Sequence, residues 1–184
     1  PPAAAMAAKI SEYMRDRSYL YSVELAKERG AFPLFNADLY LSGGNFASRL
    51  PQELKDTIRK HGLRNSHLLS IAPTGTISLA FADNASNGIE PPFSWTYTRK
   101  KRMADGTHKE FRVEDHAYRL YKHLHNIDDD VLLLPFEPER QLPAGAVWTD
   151  PDGKRRAMLT PAFVSALQMS AQDHMLMSAA VQPF

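Results

Sequence analysis

The chain has 184 residues and no cysteine, and 22 basic against 21 acidic side chains give a formal net charge of +1. Its hydrophobic fraction of 43% and charged fraction of 23% are those of an ordinary globular protein. The absence of cysteine excludes a disulfide scaffold, a thiolate metal site and cysteine-based catalysis within this chain. No apolar run reaches the roughly 20 residues of a membrane span, and the near-neutral charge gives no reason to expect nucleic acid. By exclusion, we expect a cytoplasmic protein without membrane or nucleic-acid partners.

Two helices are predicted in the first third of the chain. Apolar side chains at three- and four-residue steps predict a long helix over residues 3–29. The positions that set this spacing are Ile10, Tyr13, Met14, Tyr21 and Leu25. Residues 32–45 are predicted to be a loop, since they contain a proline and two adjacent glycines. Pro51 at a first helical position and Gly62 at a stop delimit the second helix.

Strands are predicted in the middle of the chain. Residues 67–72 form a short apolar run that is typical of a buried strand. Residues 93–97 alternate aromatic and hydroxyl side chains, which is the period of a strand, and the Asp-Gly pair at 105–106 supplies a hairpin turn behind it. A second hairpin is predicted over residues 148–156.

The last third is predicted to be mainly helical. Residues 115–125 and 160–167 are predicted helices, and residues 128–140 between them are predicted to be irregular. Ser170 and Asp173 form a capping-box-like start of the last helix. The predicted fold is therefore mixed α/β, rich in helix, with short strands and hairpins.

The strongest chemical signal follows the predicted strand at 67–72, in the residues Thr74, Gly75, Thr76, Ile77 and Ser78. Three hydroxyls and a glycine offer hydrogen-bond donors without bulk, and the backbone N–H groups of such a turn can converge on phosphate oxygens. A helix that begins there would add attraction for an anion. No Walker-type lysine follows, so the spacing by itself favours a turn that caps the next element over a phosphate site.

Two further segments could carry chemistry. Asn87 and Gly88 form a strong turn pair, and Glu90 stands before two prolines in a restricted loop. A lone glutamate of this kind is usually solvated or structural, although it could hydrogen-bond a sugar hydroxyl or a neighbouring loop. The basic run at residues 99–102 follows aromatic side chains, a combination that fits single-stranded nucleic acid. The near-neutral chain instead favours a solvated strand end that protects a sheet edge.

Three separated blocks resemble the large catalytic subunit of ribonucleotide reductase. They are RNSHLLSIAPTGTISL at 64–79, SNGIEPPFSWTYTRK at 86–100 and HMLMSAAVQPF at 174–184. The motif SIAPTGTIS followed by GIEP is most similar to the sequences of the class II enzymes, which depend on adenosylcobalamin. Because three blocks occur in the family's order, this resemblance is more specific than any single motif.

The resemblance implies a fold, a reaction and a site. The fold is an α/β barrel of ten strands, of which this chain would be the C-terminal part. The reaction is the reduction of ribonucleotides to 2′-deoxyribonucleotides by radical chemistry. In the family, the loop that matches residues 73–78 binds the phosphates of the ribonucleotide substrate, so the resemblance favours that function here. Asn87, Gly88 and Glu90 would then stand on the substrate side.

The family's radical cysteine and its redox cysteine pair have no counterpart in this chain. We therefore expect residues 1–184 to be a single, partial barrel domain of a ribonucleoside-diphosphate reductase, without catalytic or metal-binding residues and inactive by itself. Adenosylcobalamin is expected for the parent enzyme, although no motif assigns its contacts here. The expected partner is the remainder of the barrel, and a homo-oligomer is left open. Apolar side chains at 68–71 and 93–97 predict association or rearrangement of an exposed face.

Two alternatives remain at this point. The first is a non-catalytic module that binds nucleotides or phosphate with the same loop, and a cysteine-bearing core continuous with residue 1 in the gene would exclude it. The second is a single-stranded nucleic-acid binder that uses Trp95, Tyr97 and the basic run. Steeply salt-dependent binding to oligonucleotides would support this second alternative.

Overall fold

The computed structural model describes residues 2–82 and 85–184 as helices, strands and connecting loops. Two compact units make up the chain: the first contains the residues up to Ile71 together with Met175–Phe184, and the second is Ala72–His174. The predicted mixed α/β fold, rich in helix with short strands and hairpins, is confirmed. The expectation of one domain over the whole chain stays a prediction.

Helices build the first unit. They are α1 (Pro2–Arg29), α2 (Ala37–Leu41) and α3 (Gln52–His61), with a 3₁₀ turn at Phe46–Arg49. The sequence predictions of α1 and α3 are confirmed. Helix α3 ends at Gly62, whose φ of +78° lies in the left-handed region that favours glycine.

Helix α2 corrects the prediction of an uninterrupted loop over residues 32–45. The Asn36 side chain caps this helix by accepting a hydrogen bond from the Leu39 N–H at 3.1 Å, and Asp38 stands in the first turn. Leu41 at the helix end is buried. A single capped turn therefore suffices to bring an apolar side chain into the core.

The core of the first unit lies where α1 packs against α3. Its buried residues are Tyr19, Val23, Leu41, Ala47, Leu50, Leu54, Ile58 and Leu63. The prediction that the apolar positions of α1 form its buried face is wrong, because Ile10, Tyr13 and Tyr21 are 53%, 66% and 61% exposed. Ser22 lies on the face that is buried, since its hydroxyl donates to Asn65 Oδ1 and accepts from the Asn65 N–H, both at 3.0 Å. The spacing of apolar residues cannot predict a buried serine whose hydroxyl is hydrogen-bonded.

The predicted buried strand over residues 67–72 is also wrong. The segment forms no strand, and Leu69 and Ile71 are 40% and 54% exposed. A strand needs a neighbour that exchanges backbone hydrogen bonds with it, and no segment of the described chain pairs with this one. The exposed apolar side chains that the sequence predicts are present, and association through them stays a prediction.

A short helix, α4 (Gly75–Ile77), opens the second unit and continues into a π-helical segment, Ser78–Ala82. Strands β1 (Thr96–Arg102) and β2 (His108–Glu114) then form the predicted antiparallel hairpin. The predicted helix follows as α5 (His116–Leu124). The first strand begins three residues later than the aromatic alternation indicates.

A three-stranded sheet completes the strands of the described chain. It consists of β3 (Leu132–Leu134), β4 (Val147–Thr149) and β5 (Arg155–Met158). Strand β5 lies in the middle, parallel to β3 and antiparallel to β4, so the second predicted hairpin is confirmed. Strand β3 corrects the irregular assignment of residues 128–140. Three residues are too few to show a period of two, which is why the sequence did not reveal this strand.

The core of the second unit joins α5 to this sheet. Its buried residues are Tyr118, Tyr121, Ile127, Val131, Leu133, Ala157 and Leu159. The Tyr121 hydroxyl donates to the Met158 carbonyl oxygen and accepts from the Gly145 N–H, both at 2.8 Å. Because these polar groups pair with each other, α5 is held against the sheet without an unsatisfied hydroxyl.

The predicted helix over residues 160–167 is wrong, since only a 3₁₀ turn forms, at Ala166–Gln168. The first N–H of that turn donates to the Pro92 carbonyl oxygen at 3.0 Å, and the Phe163 ring packs edge-on against Trp95 with 4.9 Å between centroids. These contacts with the segment before β1 outweigh a weak local preference for helix.

Helix α6 (Ala171–Val181) begins as predicted. The Ser170 hydroxyl donates to the Asp173 carboxylate at 2.6 Å and accepts from the Asp173 N–H at 3.2 Å. Among the helices in the described part of the chain, none combines the length and the apolarity that a membrane span requires.

Candidate functional site

The structure brings together the two loops that the sequence singles out. The Thr74 N–H donates to the Asn87 carbonyl oxygen at 2.7 Å, and the Thr74 hydroxyl donates to the same oxygen at 2.9 Å. Two hydrogen bonds from one residue therefore fix residues 73–78 against residues 86–90. We call these two segments the loop pair.

Helix α4 begins inside the first loop, and its first backbone donors have no partner within the helix. The first intrahelical hydrogen bond runs from the Ser78 N–H to the Thr74 carbonyl oxygen at 2.8 Å. The N–H groups of Gly75, Thr76 and Ile77 precede that bond and have no carbonyl four residues back inside the helix. Thr76 and Ile77 are exposed, so this part of the loop faces solvent, where an anion can approach.

The three hydroxyls of the first loop fall into two roles. Thr74 Oγ1 donates to Asn87, and Ser78 is only 8% exposed, with its Oγ 3.3 Å from Thr74 Oγ1. Both of these hydroxyls hold the loop in shape. Thr76 is exposed, so its hydroxyl is the one of the three that a ligand in solvent can reach.

Glycine is sterically favoured in both loops. A Cβ atom at Gly75 would lie 3.3 Å from Asn87 Oδ1, and a Cβ atom at Gly88 would lie 2.8 Å from Glu90 Oε2. Each glycine therefore lets a polar side chain approach the backbone closely. A side chain added at Gly75 would press on the second loop and would therefore change the geometry of the loop pair.

Glu90 takes part in the internal structure of the second loop. Its Oε1 accepts a hydrogen bond from the Asn87 N–H at 3.3 Å, and its carbonyl oxygen accepts one from Ser86 Oγ at 2.6 Å. These contacts favour a structural role for Glu90. A role of Glu90 toward a sugar hydroxyl stays a prediction.

Asp115 supports the loop pair from outside it, a role that no sequence pattern predicts. Asp115 is 5% exposed, and its carboxylate accepts hydrogen bonds from the Ala85 N–H at 2.8 Å and from the Ala117 N–H at 2.9 Å. One side chain therefore caps α5 and holds the residue just before the second loop. The cap could be found from the sequence, but the partner 30 residues away could not.

Two cavities among the described residues lie away from the loop pair. A cavity of about 880 Å³ in the first unit is walled by aromatic rings such as Phe32, Tyr40 and Phe184. A second cavity, of about 350 Å³, lies beside Trp95 and Tyr118 in the second unit.

The donors of the loop pair suit phosphate. They are backbone N–H groups and hydroxyls, which match the oxygens of an anion. Across residues 2–82 and 85–184, no three histidine, aspartate or glutamate side chains form a group that could hold a metal ion. No residue of the loop pair is assigned to adenosylcobalamin.

The chain matches the family described as ribonucleotide reductase, barrel domain, over residues 1–184. It therefore belongs to the ribonucleotide reductase family. The part of the family to which it corresponds is the barrel domain of the large subunit. The resemblance carried by the three sequence blocks is confirmed at this level.

Individual relatives have related names. Ribonucleoside-diphosphate reductase 1 subunit alpha of Escherichia coli (strain K12) is 37% identical over 120 residues, covering 57% of this chain and 14% of that protein. Vitamin B12-dependent ribonucleoside-diphosphate reductase of Mycobacterium tuberculosis (strain CDC 1551 / Oshkosh) is 35% identical over 97 residues, covering 53% and 11%. Ribonucleoside-diphosphate reductase subunit alpha of Buchnera aphidicola subsp. Acyrthosiphon pisum is 40% identical over 86 residues, covering 39% and 11%. Each match spans 14% or less of the relative's length.

Proposed function

We propose that this chain is part of a ribonucleoside-diphosphate reductase, which converts ribonucleotides to 2′-deoxyribonucleotides by radical chemistry, and that it supplies the loop that binds the substrate's phosphates. The family match and the names of the relatives support the enzyme class. The observation that carries the site is the double hydrogen bond from Thr74 to Asn87. It holds the exposed donors of the first loop in a fixed place.

The residues of the first loop have two roles, phosphate binding and support of the loop conformation. Gly75, Thr76 and Ile77 donate backbone N–H groups to phosphate oxygens, and Thr76 adds its hydroxyl. Thr74 and Ser78 keep the loop in the conformation that aims these donors. The loop pair contains no lysine or arginine, so phosphate affinity rests on neutral donors, which act strongly on an anion when they are held in place.

The second loop forms the border of the site. Asn87 anchors the first loop through its carbonyl oxygen, and Gly88 lets the Glu90 carboxylate fold back over the turn. The carboxylate is turned toward the Asn87 N–H. This hydrogen bond holds the negative charge of Glu90 within the second loop, although the proposed site for an anion is next to it.

The parent enzyme is proposed to be of class II and to depend on adenosylcobalamin, the cofactor that supplies the radical in that class. The loop sequence SIAPTGTIS followed by GIEP supports this subclass, as does the relative from Mycobacterium tuberculosis that is named vitamin B12-dependent. The relatives from Escherichia coli and Buchnera aphidicola do not carry that word in their names.

The reactive cysteines of such an enzyme must come from outside this chain, which contains none. Its proposed partners are the ribonucleotide substrate and the remainder of the reductase barrel. The isolated chain is expected to be inactive. A cytoplasmic location is part of the same proposal.

The test uses the full-length protein that contains this chain. Reduction of ribonucleoside diphosphates is measured with and without adenosylcobalamin, and nucleotide binding is measured in parallel. Turnover that requires the cofactor supports the whole proposal. Turnover that does not need it contradicts class II only, whereas nucleotide binding without any reduction supports the non-catalytic module instead.

A further inference from the structure

The β1–β2 hairpin separates its charges between its two sides. Residues directly opposite each other in an antiparallel pair point to the same side, and the side alternates along each strand. The register therefore places one set of six residues together: Tyr97, Arg99, Lys101, Lys109, Phe111 and Val113. We call this set the basic face. It contains three cationic side chains and no carboxylate.

The opposite side of the hairpin is partly neutralised. Lys100 pairs with Glu110 at 3.2 Å, and Arg112 pairs with Glu114 at 2.7 Å. Both carboxylates of the two strands therefore lie on this side. The separation turns a hairpin of modest net charge into one with a distinctly positive side.

The cations of the basic face are exposed and have no carboxylate partner among the described residues. None of its three cations forms an ion pair with a described residue, and both strands are exposed from Thr98 through Arg112. Lys101 stands directly opposite Lys109, and like charges in that position destabilise a strand pair. An anionic partner would remove this repulsion.

We propose that the basic face docks an extended, acidic peptide segment of a partner protein. Alternate side chains of an extended peptide are about 6.7 Å apart, which is also the spacing from Arg99 to Lys101 along β1. Glutamate or aspartate at alternate positions of the partner would therefore meet successive cations, and Lys109 would add a third contact across the hairpin. The inference goes beyond the proposed function and involves no residue of the loop pair.

Single-stranded nucleic acid fits this face less well. Stacking of bases needs an open aromatic ring, and the Lys109 ammonium occupies one face of the Phe111 ring, 5.3 Å from its centre. Tyr97 is half-buried. A peptide needs only the cations, which remain exposed.

The test compares two triple variants of the full 184-residue chain. The first is Arg99→Gln, Lys101→Gln and Lys109→Gln on the basic face. The control is Lys100→Gln, Arg102→Gln and Arg112→Gln on the opposite side, with the same change of net charge. Fluorescence anisotropy measures binding of a labelled peptide that alternates glutamate and valine, and of a labelled oligonucleotide of thymidines. Circular dichroism checks that each variant folds.

The basic-face variant should weaken peptide binding about tenfold, because three contacts each worth a fraction of a kcal/mol are lost, and the control should weaken it less than about threefold. Binding by the unaltered chain should also fall with added salt, since the Debye length shrinks from roughly 10 Å at 0.1 M to 3 Å at 1 M. Equal losses in both variants, or no binding by the unaltered chain, would overturn the proposal. Tighter binding of the oligonucleotide than of the peptide would overturn it in favour of nucleic acid.

Discussion

Thr74 and Asn87 lie 13 residues apart and are joined by two hydrogen bonds to a single carbonyl oxygen. The backbone N–H and the hydroxyl of Thr74 both point at it, so Thr74 is fixed in rotamer as well as in backbone. The neighbouring Thr76 is exposed. The two threonines of this short loop therefore have different roles, and single substitutions can test each role separately.

Replacing each threonine by valine removes the hydroxyl and keeps the shape. We expect Thr74→Val to lower the free energy of unfolding by about 1 kcal/mol, because a hydrogen bond inside the protein is lost. Thr76→Val should leave stability unchanged and weaken nucleoside diphosphate binding by about tenfold, because a hydrogen bond to a charged ligand is lost. Urea denaturation of the chain and calorimetric titration of the full-length enzyme measure the two effects.

The pair of variants tests the division of roles directly. If Thr76→Val leaves nucleotide affinity unchanged while Thr74→Val reduces it without a loss of stability, the assignment of the two hydroxyls is reversed. If neither variant changes affinity, the hydroxyls of this loop do not contact the phosphates.

At Gly75, a charged and a neutral side chain of nearly equal size separate repulsion from steric effects. Either Gly75→Asp or Gly75→Asn places a Cβ atom 3.3 Å from Asn87 Oδ1, so both should disturb the loop pair to a similar extent. Only the aspartate adds a negative charge beside the proposed phosphate site. We expect Gly75→Asp to bind nucleoside diphosphate about tenfold more weakly than Gly75→Asn, measured in the full-length enzyme. Equal affinities for the two variants would argue against an anion at this position.

The elements that were predicted correctly are marked by local signals. Ser170 and Asp173 cap α6 through contacts three residues apart, and Gly62 ends α3 with a positive φ. Asp115 was placed correctly at the start of α5. Signals of this kind depend only on neighbouring residues, so the sequence contains them in full.

The errors come from contacts between distant residues. Ser22 lies in the core because Asn65, 43 residues away, satisfies its hydroxyl. Residues 160–167 do not form a helix because Pro92 and Trp95 hold them. At the candidate site, the sequence predicted which residues belong to the first loop, but three hydroxyls that look equivalent in the sequence differ because Asn87 binds only one of them.

Removal of the Asp115 carboxylate should destabilise the second unit. Asp115→Ala leaves the buried Ala85 N–H without its acceptor and removes the cap of α5, which together cost about 2 kcal/mol. Asp115→Asn keeps one acceptor oxygen and should lose less. Asp105→Ala is the control, because that carboxylate bonds to Thr107 in an exposed turn. Equal losses of unfolding free energy for Asp115→Ala and Asp105→Ala would contradict the supporting role of Asp115.

The stability of the second hairpin should depend on pH through Asp150. Hydrogen bonds from Arg156 and Trp148 hold the pKa of the Asp150 carboxyl below its ordinary value of 3.8. A lowered pKa in the folded state means that the unfolded chain binds more protons in acid, so the stabilisation is present above about pH 4 and is lost as the pH falls through the folded pKa. We therefore expect Asp150→Asn to lower the melting temperature at pH 7 and to match the unaltered chain in strong acid. The exposed Glu139→Gln serves as the control for the loss of one negative charge, and a difference for Asp150→Asn that stays constant from pH 7 to acid would show that its hydrogen bonds do not favour the charged form.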